Sequence, residues 1–307
     1  MKSAPSVSVV MSVFNGGMRL SETLDSVLCQ AGCDFEFIVV NDGSTDSTPM
    51  LLDEYARIYP MLHVIHQPNS GLTNALILGC TEARGKYIAR QDAGDISLPG
   101  RLAMQAGFLD EHPDAVMTAC AVQMSGPVGE PLQVISKTMR ILDAGIRQLD
   151  IKLIHGPQHG ATMFRTEIYK SVGGYRQPFV VAQDIDLWLR MSERGLCLGM
   201  PDLLYEARIE VGSISSRRRV EQMRLGGLAI ACAKRRRGGD NEENLLKTYI
   251  PAAVKAGPAG RHERAKFHYF IASCLRENNH SGAKRYYRQA LKDNPFHLKA
   301  LFRLITS

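Results

Sequence analysis

The chain has 307 residues, 45% hydrophobic and 22% charged, with a formal net charge of +6. That balance excludes a mostly disordered chain, and no run approaches the roughly 20 apolar residues of a membrane span. The modest positive charge suits a phosphate-bearing ligand or a weak attraction to anionic membrane, and selects neither.

Seven cysteines are scattered along the chain, an odd number that cannot pair fully. Cys29 and Cys33 stand close but lack the two-residue spacing of zinc or redox motifs. Most read as small buried hydrophobes in a reducing, cytoplasmic compartment. Val7–Val13 is apolar but short and ends at Asn15-Gly16-Gly17, so it reads as a first strand and not as a signal peptide.

In chain order, the β-branched run Val7–Val13 predicts a buried strand. Leu20, Leu24, Val27 and Leu28 have helical spacing. Phe35–Val40 is a second strand that ends in the turn residues Asn41-Asp42-Gly43-Ser44. A helix through Leu51, Leu52 and Tyr55, a strand His63–Ile65, a helix Gly71–Ala83 and a strand Tyr87–Ala89 follow. Strand and helix alternate three times before residue 90, which predicts a mostly parallel α/β sheet covered by helices. Ligands sit at the carboxyl ends of such strands. Asn15, Asp42 and Asp92 all fall there.

Beyond residue 213 the character changes. Arg217–Arg219 and Lys234–Arg237 bracket a helical stretch. Gly238-Gly239 and Gly257-Pro258-Ala259-Gly260 read as turns or linkers. Residues 262–307 are helical again; Ala283, Tyr286, Tyr287, Ala290, Leu291 and Pro295 resemble the second helix of a tetratricopeptide repeat. A single unit of this kind also fits an amphipathic helical pair packing on the main domain.

Several segments carry chemistry. Asp42 follows a buried strand, where a carboxylate can accept hydrogen bonds from a ribose or a base, or simply form an Asp-Gly turn. Asp92 and Asp95 end another strand, and paired carboxylates suit a hard divalent cation, or else a solvated acidic turn. Asp184 and Asp186 open an apolar helical run. One could be a general base for an attacking hydroxyl, or both could favour a helix N-terminus. Trp188, the sole tryptophan, is either a core anchor or a sugar-stacking platform. His155 and His159 lie in a polar loop and are either structural or ligands to metal or phosphate. Two nucleotide motifs are rejected. Asn15-Gly16-Gly17 lacks the dinucleotide glycine spacing, and Gly79 to Gly85-Lys86 has one residue too many for a P-loop.

Taken together, Val7–Asn15, Ile38–Thr48, Asn69–Leu72, Gly85–Asp95 and Gln183–Trp188 resemble glycosyltransferase family 2, inverting nucleotide-sugar transferases of the GT-A fold. The resemblance covers about residues 6 to 212. It implies a catalytic domain over 1–213, with a helical region over 214–307. It also implies that Ser12, Val13, Phe14, Asn15, Asp42, Asn69, Gly71 and Asp92 hold the nucleotide. Asp92 and Asp95 would bind Mn2+ or Mg2+, although Gly94 stands where the Asp-x-Asp motif has its second Asp. Asp184 matches the general base, and His159, Asp186 and Trp188 lie toward the acceptor. The resemblance implies a nucleotide-sugar donor, by habit of the family a uridine diphosphate sugar. The expected acceptor is a glycan or lipid-linked sugar of a cell-surface polysaccharide.

The expected setting is cytoplasmic, with peripheral contact at the inner face of the membrane through the basic clusters. The C-terminal helices are a candidate surface for a protein partner. No reader motif for nucleic acid is present. Gly94 keeps one alternative open, a catalytically degenerate transferase-fold binding protein.

Overall fold

The computed structural model describes residues 4–136, 139–150, 156–210, 218–249, 260–278 and 280–306. His155, Arg217 and Gly257-Pro258-Ala259, singled out in the sequence, lie outside the described residues. The chain divides into two compact units. The first comprises Met1–Val122, Ser136–Ala207 and Glu221–Pro251; the second comprises Gln123–Ile135, Arg208–Val220 and Ala252–Ser307.

The first unit opens with β1 (Val7–Val13), α1 (Leu20–Leu28), β2 (Phe35–Asp42), α2 (Thr48–Ile58), β3 (Leu62–Gln67), α3 (Leu72–Glu82) and β4 (Tyr87–Asp92). The predicted alternation is therefore present, with each element within a few residues of its expected bounds. β5 (Ile96–Ser97), α4 (Arg101–Glu111), β6 (Ala115–Ser125), α5 (Met139–Arg147), β8 (Thr162–Arg165), α6 (Thr166–Ser171), α7 (Gln183–Met191) and β9 (Leu196–Arg208) complete it, and β7 (Pro131–Ile135) falls in the second unit. The strand order is β3-β2-β1-β4-β8-β6-β9-β5. β1 pairs in parallel with β2 and β4, and β2 with β3. β8 then runs antiparallel to both β4 and β6. The result is a mixed α/β sheet flanked by helices.

The strand period of two explains the two cores. Val7, Val9, Met11 and Val13 of β1 face one layer, which holds Leu20 and Leu24 of α1, Leu52 of α2 and Leu102 of α4. Val10, Ile38 and Ile88 face the other, with Leu76 of α3 and Leu187 and Trp188 of α7. Neither face of the central strands meets water, which is why β1 and β2 read as nearly unbroken apolar runs.

The packing boundary differs from the sequence boundary at residue 213. Helix α8 (Arg219–Arg237) belongs to the first unit beyond its first turn. Its Leu225, Ala229, Ile230 and Ala233 bury against Phe179, Val181 and Leu189, an apolar stripe at helical spacing finding a partner.

In the second unit, the end of β6 and β7 form a hairpin closed by Gly126 N–H donating to the Glu130 carbonyl at 2.8 Å. Helices α10 (Arg261–Glu277), α11 (Ala283–Asp293) and α12 (Leu298–Ile305) share a core of Ile271, Leu275, Ala283, Tyr286, Tyr287, Ala290 and Ala300 with Leu132. A short α9 (Glu243–Thr248) precedes them in the first unit. No described helix is long and apolar enough to cross a membrane. All seven cysteines are free; five are buried, Cys33 is partly buried and Cys29 is exposed.

Candidate active site at the strand ends

Strand register brings the expected polar residues to one edge. Ser12 lies abreast of Val40 on one side and Asp92 on the other, and Val13 abreast of Asn41. Asp42 closes β2 opposite Gln67.

The first two loops are stitched together. Thr45 N–H donates to Asn15 Oδ1 at 2.8 Å, and Asn15 N–H donates to Ser44 Oγ at 2.9 Å. Asn15 tolerates the left-handed conformation (φ 51°) that this double contact requires. The neighbouring Phe14 ring is 52% exposed, an apolar face beside these loops.

Asp42 is buried and both its carboxylate oxygens accept hydrogen bonds. Oδ1 accepts from Gln67 Nε2 at 2.6 Å and from Ser70 N–H at 2.8 Å, and Oδ2 accepts from Gly71 N–H at 2.9 Å. Asn69 Nδ2 donates to the Asp42 carbonyl at 2.8 Å. Asp42 therefore shapes the Gln67–Gly71 loop.

Asp92 lies above a buried scaffold. Its Oδ1 accepts from Arg90 Nη2 at 2.9 Å, and its backbone N–H donates to the Tyr205 hydroxyl at 3.1 Å. Arg90 has no exposed surface; it also donates to the Val10 carbonyl and, through Nε, to His159 Nε2 at 3.3 Å. Arg101, equally buried, donates to the carbonyls of Arg90 and Gly160, each at 2.7 Å, and its guanidinium stacks 4.7 Å from the Tyr205 ring. A Cβ at Gly160 would lie 2.1 Å from the Tyr205 hydroxyl and 3.0 Å from Asp92 Oδ2, so only glycine fits there. The sequence reading missed Arg90, Arg101, Tyr175 and Tyr205. A charged residue inside the apolar β4 was the available signal for Arg90.

Gly94 has a specific backbone role. Asp95 N–H donates to the Asp92 carbonyl at 3.2 Å, closing a turn with Gly94 at φ +96°. That conformation suits glycine and strains any residue with a Cβ. A Cβ there would meet nothing within 4 Å, so the cost of a side chain is conformational and not steric.

Asp184 lies in the first turn of α7, preceded by Ala182 in the left-handed region (φ 57°). Its Oδ1 accepts from Ile185 N–H at 2.8 Å. Burial pushes the Asp184 carboxyl up to about 6 and the Asp92 charge adds to the rise, while backbone hydrogen bonds and the Arg90 guanidinium oppose it. Asp184, Asp92 and Arg90 thus share one electrostatic environment.

The three residues expected toward the acceptor are placed otherwise. Asp186 is 1% exposed, and its carboxylate accepts from Arg190 Nη2 at 2.6 Å, from Arg176 Nε at 3.0 Å and from Arg176 Nη2. Both its oxygens are taken by guanidinium groups, which leaves none for a sugar. Trp188 is 3% exposed and belongs to the core beside Leu187 and Met191. It is an anchor, not a platform. His159 is buried with Nε2 accepting from Arg90 and 2.7 Å from the Tyr175 hydroxyl. Burial, and then the adjacent Arg90 charge, hold its imidazole neutral, well below the usual histidine range. Since Arg90 can only donate, the proton is assigned to Nδ1. His159, through Arg90, supports the Asp92 carboxylate.

Among the described residues no group of three or more His, Cys, Asp or Glu is arranged to hold a metal ion. Asp92 nevertheless offers a one-third-exposed carboxylate of the hard oxygen type that Mn2+ and Mg2+ accept. The protein fits such an ion only if phosphate oxygens and water supply most of its coordination, a common arrangement for Mg2+.

The profile of Glycosyl transferase family 2 matches residues 8–173, more than half of the chain. The chain belongs to this family. The match spans the loops around Asn15, Asp42 and Asp92, and ends before Asp184. A Bacillus subtilis (strain 168) protein named as a glycosyltransferase, EpsE, is 29% identical over 276 residues, covering 83% of this chain and 93% of that protein. The amylovoran biosynthesis glycosyltransferase AmsE of Erwinia amylovora is 27% identical over 215 residues, covering 69% of this chain and 79% of that protein.

Two solved structures share the fold. The Pyrobaculum calidifontis mannosyltransferase PcManGT, in complex with GDP-Man and Mn2+, superposes with a TM-score of 0.58 at 18% identity, over 99% of this chain and 79% of that one. Staphylococcus aureus TarS 1-349, in complex with UDP-GlcNAc, does so with 0.57 at 18% identity, over 92% and 83%. The sheet with its flanking helices is thus a GT-A glycosyltransferase fold.

Proposed function

We propose that this family 2 glycosyltransferase moves a sugar from a nucleotide diphosphate, with UDP as the first candidate, onto an acceptor hydroxyl with inversion. The observation that carries this reading is the convergence of Asp184, Asp92 and buried Arg90 at the strand ends, with the Asp184 carboxyl raised to about 6. A carboxylate tuned toward neutral pH is suited to accept a proton from a hydroxyl.

The loops around Asn15 and Asp42, with Ser12, Val13, Phe14, Asn69 and Gly71, form the nucleoside seat. Asp92, with Asp95 three residues on, would hold a divalent cation together with phosphate oxygens and water. When bound, that cation neutralises charge on the leaving diphosphate. Arg90 fixes the Asp92 carboxylate at 2.9 Å. Asp184 takes the proton from the acceptor hydroxyl, which attacks the anomeric carbon from the face opposite the leaving group, so a single displacement inverts the configuration. This is the opposite-face geometry of inverting glycosidases.

AmsE, named for amylovoran biosynthesis, supports a polysaccharide acceptor, glycan or lipid-linked, made on the cytoplasmic side of the membrane. The bound UDP-GlcNAc of TarS supports a uridine donor, and the bound GDP-Man of PcManGT makes a guanosine donor the competitor. Thermal shift against both nucleotides with Mn2+ separates them, since a ligand at 100 times its Kd adds about 2.7 kcal/mol of stability.

The deciding test is Asp184→Asn. Donor binding stays within about twofold while turnover falls by about 10²- to 10⁴-fold, the usual worth of a general base. Turnover near the parent level removes Asp184 from this role. Gly94 favours one second reading, a protein that binds nucleotide sugar without transfer. Donor hydrolysis by the parent protein excludes it.

A further inference from the structure

Helix α12 presents an apolar stripe to solvent. Leu298, Leu301, Phe302 and Ile305 are 76%, 43%, 63% and 77% exposed, and Phe296 just before the helix is 87% exposed. The four helical residues follow i, i+3, i+4, i+7 spacing and so occupy about 100° of arc. Ala300 is fully buried and Leu304 packs on the core of the second unit, which fixes the helix with its stripe outward. Exposed Lys299 and Arg303 border the stripe on one side, and α12 contains no acidic residue.

Charge in the chain is not evenly spread. Of its 37 Lys and Arg, ten lie in residues 260–306; of its 31 Asp and Glu, three do. The remaining 27 basic and 28 acidic residues nearly cancel, so the net positive charge resides on the terminal helices. Among them, Arg264 pairs with Asp293 at 2.9 Å and Arg285 with Glu130. By contrast, at the basic end of α8, singled out in the sequence for membrane contact, two of the four cations are held in ion pairs. Arg236 pairs with Glu193 and Glu242, and Arg237 with Glu193.

We propose that α12 is an interfacial helix that docks the second unit on an anionic lipid surface. Leu298, Leu301, Phe302 and Ile305 enter the acyl boundary, and Lys299 and Arg303 meet lipid phosphates. An apolar stripe bordered by Lys and Arg, with aromatic and leucine side chains, is the pattern of a helix lying in the membrane interface. A second copy of the chain would bring the same cations against one another, so charge complementarity favours the lipid. Docking raises the concentration of any membrane-borne acceptor near the enzyme. The inference does not depend on the transfer chemistry, and its test reads binding without turnover.

The test is flotation of the full chain with vesicles of phosphatidylglycerol and phosphatidylcholine, against phosphatidylcholine alone. Binding is expected to the anionic vesicles, weakening at about 0.15 M salt, where charges farther apart than about 8 Å are screened. Lys299→Gln with Arg303→Gln lowers the partition by about 25-fold, from about fivefold per cation. Leu301→Ser with Phe302→Ser lowers it by about tenfold or more, through lost apolar burial. Both pairs are surface positions, and circular dichroism verifies their folding. A third variant, Phe302→Trp, blue-shifts its emission on vesicle addition. Absence of binding to anionic vesicles at low salt, equal binding to neutral vesicles, or an unshifted emission overturns the proposal. So does a dimer in sedimentation velocity that Leu301→Ser with Phe302→Ser dissolves, which assigns the stripe to a second copy.

Discussion

The Gly71 backbone N–H donates to the Asp42 carboxylate at 2.9 Å, tying the end of β2 to the start of α3. Gly71 caps α3 at a positive φ of 88° that favours glycine, so the helix begins where that carboxylate holds it. Asp42→Ala leaves the Ser70 and Gly71 N–H groups without their acceptor. The expected result is a KM for the donor raised about 10- to 100-fold, from about 1.4–3 kcal/mol of lost hydrogen bonding to a charge. Turnover at saturating donor changes less, and steady-state kinetics reads the split.

Asp184 links activity and stability in opposite directions. Its carboxyl titrates near 6 in the fold and near about 3.9 when unfolded. Ionising it in the fold therefore costs stability; the cost is absent below the unfolded value and full above 6. Asp184→Asn should raise stability at neutral pH by about 1–2 kcal/mol, allowing for its partial exposure. The gain disappears near pH 4. Thermal melts across that range check it. In the parent enzyme, kcat/KM should fall about tenfold per pH unit below 6, as the base protonates.

Asp186 predicts a different failure. Asp186→Ala strands the buried Arg190 guanidinium and leaves Arg176 with Glu242 as its remaining carboxylate partner. Breaking such a pair costs about 3–5 kcal/mol. Chemical denaturation should show that loss, and the acceptor KM of the surviving folded protein should stay close to the parent value. A selective rise in acceptor KM with normal stability would return Asp186 to the acceptor site.

Gly160 and Gly94 separate steric from conformational constraint. Gly160→Ala drives a methyl into the Tyr205 hydroxyl and crowds Asp92 Oδ2. It should cut turnover by at least about tenfold, since overpacking costs about 1–3 kcal/mol and displaces the Asp92 support. Gly94→Asp meets open space but must adopt φ +96°. It should cost about 1–2 kcal/mol of stability, and Mn2+ titration should show tighter binding from the added carboxylate.

The first half of the fold is legible because its signals are local. β-branched runs, turn residues and helical spacing alternate before residue 90, and register then carries Ser12, Asp42 and Asp92 to one edge. The support beneath them is not local. Tyr205 reaches the Asp92 N–H across 113 positions, and Arg101 reaches the Gly160 carbonyl across 59. No spacing rule anticipates such contacts. Asp184 and Asp186 look alike in the sequence, yet on a helix two positions apart they point to nearly opposite sides. Arg190, four residues beyond Asp186, was the legible sign that Asp186 had an internal partner. The outward stripe of α12 was hidden for another reason. Periodicity reveals that a helix has an apolar face, and only packing reveals that the face is left uncovered.

The distribution of the thiols gives the molecule a single chemical handle. Cys80 and Cys197 are sealed in the core with their thiols pushed up by burial, and Cys33 is held up by partial burial and by Asp34. Cys29 alone is open to solvent, at the end of α1 and remote in sequence from the strand-end loops. One maleimide dye placed there would mark each copy at one address in its native cysteine complement, ready for distance measurements as donor and acceptor bind.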